Sequence, residues 1–261
     1  MTFAEDTAVT AAGSHYTGLI AEGWDIVGNT NGGYLLAVAA RAMAAASKPH
    51  PVAVTAHYLA PGRPGPITIV PTVVKQGRQF STVSAQLIKD ERPLVQLLGS
   101  FANLEEVEGP MRIDAAPPEL PDPEDCVIVQ AGEQGFPPPI MSKVDLRLHP
   151  DDAQFMAGTP SGRPEFRGWL RMIDEPADPF ALLMAADVFP PTVFNANLPV
   201  AWTPTVELTA HVRGIPVEGW LRCRFSTRFI SGGMLEEDGE IWDDSGRLVA
   251  QSRQLALAPR A

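Results

Sequence analysis

The chain carries one long, almost wholly apolar segment near its start, followed by shorter segments of alternating character. Residues 34–46 read Tyr-Leu-Leu-Ala-Val-Ala-Ala-Arg-Ala-Met-Ala-Ala-Ala, with Arg41 as their one charged position. Strong helix formers that are apolar on every side predict a helix buried all round, in contrast to an amphipathic surface helix. Such a helix needs a layer wrapped around it. The segments after Pro51 alternate as strands do, so a sheet is the predicted layer.

Alternating and β-branched segments, separated by turn residues, predict an antiparallel meander after this helix. The predicted strands of this part cover 52–59, 66–74, 80–89 and 94–104, with a short strand within 14–24 before the helix. Residues 105–140 then change character, being acidic at first and proline-rich later. Because proline cannot donate to a strand ladder, we interpret 105–140 as a linker that does not continue the sheet.

The second part of the chain repeats the first. Val-Thr-Ala-His at 54–57 recurs as Leu-Thr-Ala-His at 208–211, and Leu-Val at 94–95 recurs at 248–249 with the same spacing. Two matches at one spacing indicate an internal duplication. The predicted division is an N-terminal unit over 1–104, the linker over 105–140 and a C-terminal unit over 141–261.

The helix of the second unit is predicted from Asp178, as N-cap, through Pro179 at the first helical position to Phe189. The proline pair 190–191 ends it. The predicted strands of this unit cover 205–211, 220–229, 234–242 and 248–257.

Composition and charge narrow the function classes. The 261 residues are 45% hydrophobic, enough for full cores, and the formal net charge of -11 speaks against nucleic acid and against anionic membrane surfaces. No apolar run is long enough to span a bilayer, and the first residues lack the pattern of a signal peptide, so we expect a cytoplasmic protein. Cys126 and Cys223 have no metal-ligand spacing, and we expect neither a disulfide framework nor a metal site.

Asp187 is the strongest chemical candidate. It is the one charged residue between Asp178 and the proline pair, on a predicted helix otherwise built from Phe, Ala, Leu, Met and Val. A carboxylate there must be desolvated or partnered, which is typical of a site in a cleft. A structural cap at the helix end is the alternative.

Gly32 and Gly33 stand at the start of the first helix. Their backbone N–H groups allow close approach of a ligand, and a helix N-terminus carries partial positive charge that suits an oxyanion. Glycines at this point also permit tight packing of the helix. The sequence leaves both interpretations open.

Several motifs together resemble the acyl-CoA thioesterase II family. They are Asn-Gly-Gly at 31–33, His-Tyr-Leu-Ala-Pro-Gly at 57–62, Gly-Arg-Gln-Phe-Ser-Thr at 77–82, Ala-Ala-Asp at 185–187 and Gly-Arg-Leu-Val-Ala-Gln-Ser-Arg-Gln at 246–254. The resemblance implies an α+β double hotdog fold, in which two tandem repeats each wrap an antiparallel sheet around a central helix. It also implies hydrolysis of acyl-CoA without a cofactor. Because hotdog units tend to bury a sheet face or edge against a partner, we expect a homo-oligomer.

In that family an aspartate, a hydroxyl residue and a glutamine hold a water. These positions fall on Asp187, Thr205 and Gln254. The resemblance therefore implies Asp187 as general base, with backbone N–H groups near Gly33 and Gly32 at the oxyanion. This chain departs from the family pattern at 207–208, where it has Glu-Leu, and at 255–256, where it has Leu-Ala. The departures bear on acyl preference more than on the reaction.

Two other functions stay open. One is a non-enzymatic protein that binds acyl-CoA or acyl chains. The other is a hotdog enoyl-CoA hydratase or dehydratase, which the sequence favours less because 178–181 offers a proline but no histidine. His57 and His211 occupy equivalent repeat positions and are interpreted as structural. Neither a nucleophile elbow nor a phosphate-binding loop is visible.

Overall fold

The structure, a computed structural model, describes residues 1–132 and 137–259. Its helices are α1 (Phe3–Asp6), α2 (Gly32–Ala45) and α3 (Pro179–Ala185). Its strands are β1 (Val9–Ala12), β2 (His15–Ile20), β3 (Asp25–Ile26), β4 (Asn29–Thr30), β5 (His50–Tyr58), β6 (Gly65–Gln76), β7 (Ser81–Lys89), β8 (Arg92–Ala102), β9 (Val127–Val129), β10 (Val144–Leu148), β11 (Glu165–Met172), β12 (Thr205–Val212), β13 (Leu221–Ser226), β14 (Ile230–Ser231), β15 (Met234–Trp242) and β16 (Leu248–Leu257).

One long antiparallel sheet runs through both halves of the chain. Its order is β1-β2-β6-β7-β8-β5-β12-β16-β15-β13-β11-β10-β9, with β14 beside β15. The halves join where β5 pairs with β12, and Thr55 faces Thr209 there with their hydroxyl oxygens 2.8 Å apart. Each half folds its part of the sheet around a helix, so the predicted α+β double hotdog fold is confirmed.

Helix α2 is buried on all sides, as its composition predicts. Residues 34–40, 42 and 43 are at most 2% exposed, and β5, β6, β7 and β8 pack around the helix. Arg41 is the exception within this run. Its guanidinium donates to the Thr7 hydroxyl at 2.6 Å and to Asp178 Oδ2 at 2.9 Å, and it stacks over Phe180. The single charge is therefore fully partnered.

The two central helices pack against each other in opposite directions. Near the end of α2, Arg41 pairs with Asp178, the N-cap of α3, whereas at the start of α2 the Gly33 N–H meets Asp187, just beyond the end of α3. Gly33 permits this approach, because a Cβ there would lie 2.8 Å from the Met184 carbonyl oxygen. Of the two interpretations of Gly33, tight packing of the helices is therefore supported by the structure.

Helix α3 is shorter than predicted. It ends at Ala185, with Ala186 as C-cap, instead of continuing to Phe189. The Asp187 N–H reaches back to the Met184 carbonyl at 3.0 Å in a tightened last turn. Asp187 consequently follows the helix and does not sit within it.

The expectation that 105–140 cannot continue a sheet is wrong at one place. Strand β9 lies within this stretch and pairs with β10, with Val129 opposite Leu146. Its three apolar residues contain no proline and form the edge strand of the sheet. The prolines, which lack an N–H donor, lie before and after this strand and do not interrupt its pairing. Residues 133–136 of the predicted linker and 260–261 of the predicted C-terminal unit lie outside the described residues. The division into 1–104, 105–140 and 141–261 stays a prediction.

Within the described ranges, no helix is long and apolar enough to cross a membrane. Cys126 and Cys223 are free and buried. The same ranges contain no group of three or more His, Cys, Asp or Glu side chains that could hold a metal ion.

Candidate active site

A cavity of about 660 Å³ opens where α2 begins and α3 ends. Most of its wall is apolar. Its polar side chains with a possible role in chemistry come from both halves of the chain: Asn31, Tyr58, Asp187, Thr205, Glu237 and Gln254. Among the described wall residues there is no Lys, Arg or His. We call this space the site cavity.

Asp187 is held at the start of α2. Its Oδ2 accepts the Gly33 N–H at 2.9 Å and the Asn31 Nδ2–H at 3.1 Å. Asn31 also donates to the Asp187 carbonyl at 2.7 Å and caps α2 by accepting the Tyr34 N–H at 2.8 Å. One asparagine therefore fixes both the helix start and the aspartate. No described hydrogen bond involves Asp187 Oδ1, which leaves this oxygen available for a water.

The electrostatics of Asp187 suit a base. The residue is enclosed by protein except on the side of the site cavity, and this burial raises its pKa from 3.8 to about 6. The nearby backbone N–H groups of Gly33 and Gly32 and the Asn31 amide lower this pKa but offset only part of the effect of burial. A carboxylate with a pKa near the working pH can both take and return a proton.

Thr205 and Gln254 come together on neighbouring strands. The Thr205 hydroxyl at the start of β12 donates to Gln254 Oε1 on β16 at 3.0 Å. A bulge between Thr205 and Glu207 shifts the register of β12 here. The three side chains predicted to be catalytic, Asp187, Thr205 and Gln254, thus all line one cavity.

The hydrogen-bond chain continues into Glu237, which the sequence alone does not indicate as a site residue. Gln254 Nε2 donates to Glu237 Oε1 at 3.0 Å, and Glu237 Oε2 accepts the Thr192 N–H at 2.8 Å. Glu237 is 5% exposed, and burial raises its pKa from 4.5 to about 7. A signal was present: strand alternation puts Glu237 on the same inward face as Leu235 and Ile241.

Tyr58 is the second residue that was missed. Its ring lies against Gly32, where an added Cβ would be 2.9 Å from Tyr58 Cζ. Its hydroxyl is buried and has no hydrogen-bond partner among the described residues. Burial raises the pKa of this hydroxyl well above its usual range, and the charges of Asp187 and Glu207 raise it further. The hydroxyl therefore keeps its proton and can act as a donor.

The other sequence candidates are placed differently. Gly32 lines the site cavity, but Gly33 does not, and its N–H is taken by Asp187 instead of facing an oxyanion as expected. Glu207, one of the family departures, accepts the Thr209 hydroxyl at 2.6 Å outside the described cavity wall. His57 and His211 are also absent from that wall.

Sequence profiles for two parts of one family match most of the chain. The profile of the acyl-CoA thioesterase N-terminal domain matches residues 20–102, and that of the acyl-CoA thioesterase C-terminal domain matches residues 123–258. The chain belongs to the acyl-CoA thioesterase family. Thioester hydrolysis is accordingly the class of activity, and acyl-CoA is the class of substrate, that this family membership supports.

Individual proteins are similar to this chain over nearly its whole length. A crystal structure assigned as a thioesterase II from Thermobifida fusca is 34% identical, with a TM-score of 0.89, and the match covers 100% of this chain and 98% of that one. A hotdog-fold protein of unknown function from Alicyclobacillus acidocaldarius shares the fold at 23% identity and a TM-score of 0.86, over 99% and 98% of the two chains. An uncharacterised protein of Mycobacterium tuberculosis is 28% identical over 94% of this chain and 91% of its own length.

Proposed function

We propose that this thioesterase-family protein hydrolyses acyl-CoA to a free acid and CoA, using a water activated by Asp187. The main support is that Asp187 and the hydrogen-bonded pair Thr205 and Gln254 line one largely apolar cavity. The described cavity wall has no cation to neutralise the carboxylate. Its raised pKa, about 6, makes it a stronger base than an ordinary aspartate.

In the proposed reaction, a water lies between Asp187 Oδ1 and the Thr205 hydroxyl oxygen, with Gln254 beside it. Asp187 takes a proton as the water oxygen attacks the thioester carbon. The tetrahedral intermediate then collapses, the carbon–sulfur bond breaks, and the sulfur leaves with the proton returned by Asp187. The products are a carboxylic acid and the CoA thiol, and Asp187 is regenerated.

We assign the oxyanion donor to Tyr58 in place of Gly33. The Gly33 N–H already donates to Asp187, whereas the Tyr58 hydroxyl is buried beside Gly32 without a described partner. A buried donor without a partner is destabilising, and an oxyanion formed in the cavity would satisfy it. Because Gly32 has no side chain, the thioester can approach both Tyr58 and Asp187.

The apolar wall is the proposed place of the acyl chain. Its aromatic and aliphatic members include Leu35, Val129, Phe155, Met156 and Phe194. Apolar walls with a few convergent polar groups are typical of small-molecule sites, and burial of methylene groups supplies binding free energy of about 0.8 kcal/mol each.

The homo-oligomer also stays a proposal. Val70, Val73, Val74 and Phe80 are exposed apolar residues on or next to β6 and β7, and a partner chain would cover them. Light scattering at micromolar concentration is expected to give a mass well above 28.1 kDa, and a mass near that value speaks for a monomer. The cytoplasmic location is likewise still a prediction from the sequence.

The decisive experiment is release of free thiol from a panel of acyl-CoA substrates of increasing acyl length. We expect turnover on at least one of them, with an optimum set by the apolar wall. Tight binding of acyl-CoA without thiol release by the wild-type protein would instead support the non-enzymatic binding protein. Hydration of an enoyl-CoA would support the hydratase.

A further inference from the structure

Glu237 is a buried carboxylate that the proposed reaction does not use. It is the third member of a four-membered hydrogen-bond chain that runs from the Thr205 hydroxyl through the Gln254 amide and the Glu237 carboxylate to the Thr192 N–H. One end of this chain has a fixed direction, because a backbone N–H can only donate. The directions of the other bonds follow from the protonation state of Glu237.

An ionised Glu237 accepts from both sides. It takes the Thr192 N–H on Oε2 and therefore obliges Gln254 to present its NH₂ group to Oε1. The Gln254 carbonyl oxygen then faces Thr205 and accepts the hydroxyl proton. The lone pairs of Thr205 Oγ1 are left for the water, which can donate one proton to Thr205 and the other to Asp187.

We propose that Glu237 is a positioning residue that sets the direction of the Thr205–Gln254 hydrogen bond, so that the site is competent only while Glu237 is ionised. This inference rests on the proposed thioester hydrolysis. Protonated on Oε1, Glu237 donates to Gln254, the amide turns over, and its NH₂ group donates to Thr205. The Thr205 proton then points at the water and engages the lone pair needed for attack.

The groups that face Glu237 determine the pH at which it changes from the protonated to the ionised form. Of the titratable side chains on the described cavity wall, Asp187 is the one whose charge raises the pKa of Glu237, and Tyr58 keeps its proton. Thr192, on the segment after α3, and Gln254, on β16, contribute hydrogen bonds without charge. Burial is the largest cause of the pKa of about 7.

Glu237→Gln tests this inference because it retains the shape and imposes the reversed direction. The new amide must keep its oxygen on the Thr192 N–H, so its NH₂ group faces Gln254 as a protonated Glu237 does. We expect kcat to fall by about 10–100-fold, the effect of misplacing a reacting group, with KM within about twofold and an unchanged thermal midpoint. Glu240→Gln is the matched control, since Glu240 lies on the same strand, on the opposite face, without a described side-chain partner.

The pH profile gives a readout that a purely structural role does not move. Two carboxylates must be ionised in the wild type, so log kcat against pH approaches a slope of about 2 on the acid side. In Glu237→Gln only Asp187 titrates, and the slope falls to about 1. Both proteins are measured on the same acyl-CoA, so ionisation of the substrate cancels.

A second readout does not depend on turnover. The side-chain amide NMR signal of Gln254, identified by its loss in Gln254→Ala, should titrate with a midpoint near 7 in the wild type and stay constant in Glu237→Gln. A signal that does not titrate, or a Glu237→Gln variant with full kcat and an unchanged slope, overturns the inference. If Glu237→Gln has a lower thermal midpoint while log kcat rises with a slope near 2 in both proteins, Glu237 has a structural role only. Absence of thiol release by the wild type refutes the hydrolysis proposal and leaves the NMR titration to decide on Glu237.

Discussion

The antiparallel helix pair has an aspartate at each end, and the two are held in opposite ways. Asp178 caps α3 by accepting the N–H groups of Phe180 and Ala181 at 2.9 and 2.7 Å, and Arg41 neutralises it at 2.9 Å. Its side chain is 38% exposed. Asp187 accepts the Gly33 N–H at the start of α2, but no cation stands on the described wall of the cavity beside it.

Two carboxylates in similar positions thus show which features distinguish a reactive group from a helix cap. Both carboxylates receive backbone donors at a helix start, where partial positive charge favours them. Only Asp187 combines this with burial, a free oxygen and an adjoining cavity. Its raised pKa follows from burial that no counter-charge offsets.

The strongest test of this contrast is Asp187→Asn. The amide oxygen can still accept from Gly33 and Asn31, so the fold is retained, while the ability to take a proton is lost. We expect thioester hydrolysis to fall by about 10²–10⁴-fold with acyl-CoA binding preserved. Initial rates of thiol release and a binding titration measure the two quantities. Full activity in this variant would remove Asp187 from the reaction, and early melting would make it a structural cap.

The pH dependence of stability provides a second test of the buried state of Asp187. The folded-state pKa of Asp187, about 6, lies above its ordinary value of 3.8, so the folded state holds the proton more tightly. This contribution to stability is fully present below pH 4 or so and is lost as pH rises through about 6; it amounts to at most about 3 kcal/mol. Urea unfolding of the wild type should show the loss, and Asp187→Asn should lack it. Parallel curves for the two proteins would contradict the raised pKa.

Tyr58→Phe tests whether the Tyr58 hydroxyl, beside Asp187, is the donor that stabilises the oxyanion. Removing one such donor is expected to lower kcat by about 10²-fold. The thermal midpoint should stay or rise, because the lost hydroxyl has no described partner in the free protein. Tyr16→Phe is the control, on β2 and away from the cavity. Equal kcat for the two variants would contradict the assignment of Tyr58 and would favour backbone N–H groups as the oxyanion donors.

Gly33→Ala probes the close contact that brings Asp187 to α2. The new Cβ would lie 2.8 Å from the Met184 carbonyl oxygen and 2.9 Å from Asp187 Cβ, so the two helices must move apart. We expect a loss of about 1–3 kcal/mol in the free energy of unfolding, measured with urea. Gly109→Ala, where nothing lies within 4 Å, should be neutral. An unaltered stability with lower kcat would favour a direct role of Gly33 at the ligand.

The smallest effect is expected at the other end of the helix pair. Asp178→Asn keeps the cap, since an amide oxygen can accept the same two N–H groups, but it gives up the pairing with Arg41. For a carboxylate exposed to this degree, the loss is about 0.5 kcal/mol or less, and kcat should not change. A marked fall in kcat would show that both aspartates support catalysis and would contradict the distinction drawn between them.

The sequence predicted those parts of the molecule that depend on local pattern. Helix α2 and strands β15 and β16 follow from periodicity, and the duplication follows from motifs repeated at one spacing. The resemblance to the family predicts Asp187, Thr205 and Gln254 at one site. Strand β11 was missed because charged Arg167 and Arg171 interrupt its apolar residues; Asp152 and Asp145 partner them in the fold. Such pairing between distant segments has no local signature.

The same reason explains which parts of the site the sequence leaves undetermined. The sequence leaves open whether Gly33 packs the helix or donates to a ligand, because nothing in it shows that the Gly33 N–H donates to Asp187 Oδ2 at 2.9 Å. Tyr58 and Glu237 belong to strands whose alternation gives the inward face but not the neighbours across the cavity. Site geometry that arises where two repeats meet is a tertiary property.

The seam between β5 and β12 also has a consequence for the order of assembly. Thr55 and Thr209 are 154 residues apart in the chain, whereas the other side of β5 pairs with the nearby strand β8. Contacts at such separation form late, after the local meanders, because a long loop must close first. During synthesis the first repeat therefore emerges with the free edge of β5 unpaired, a template for intermolecular pairing until the second repeat arrives. We expect truncation before β12 to yield an aggregation-prone fragment.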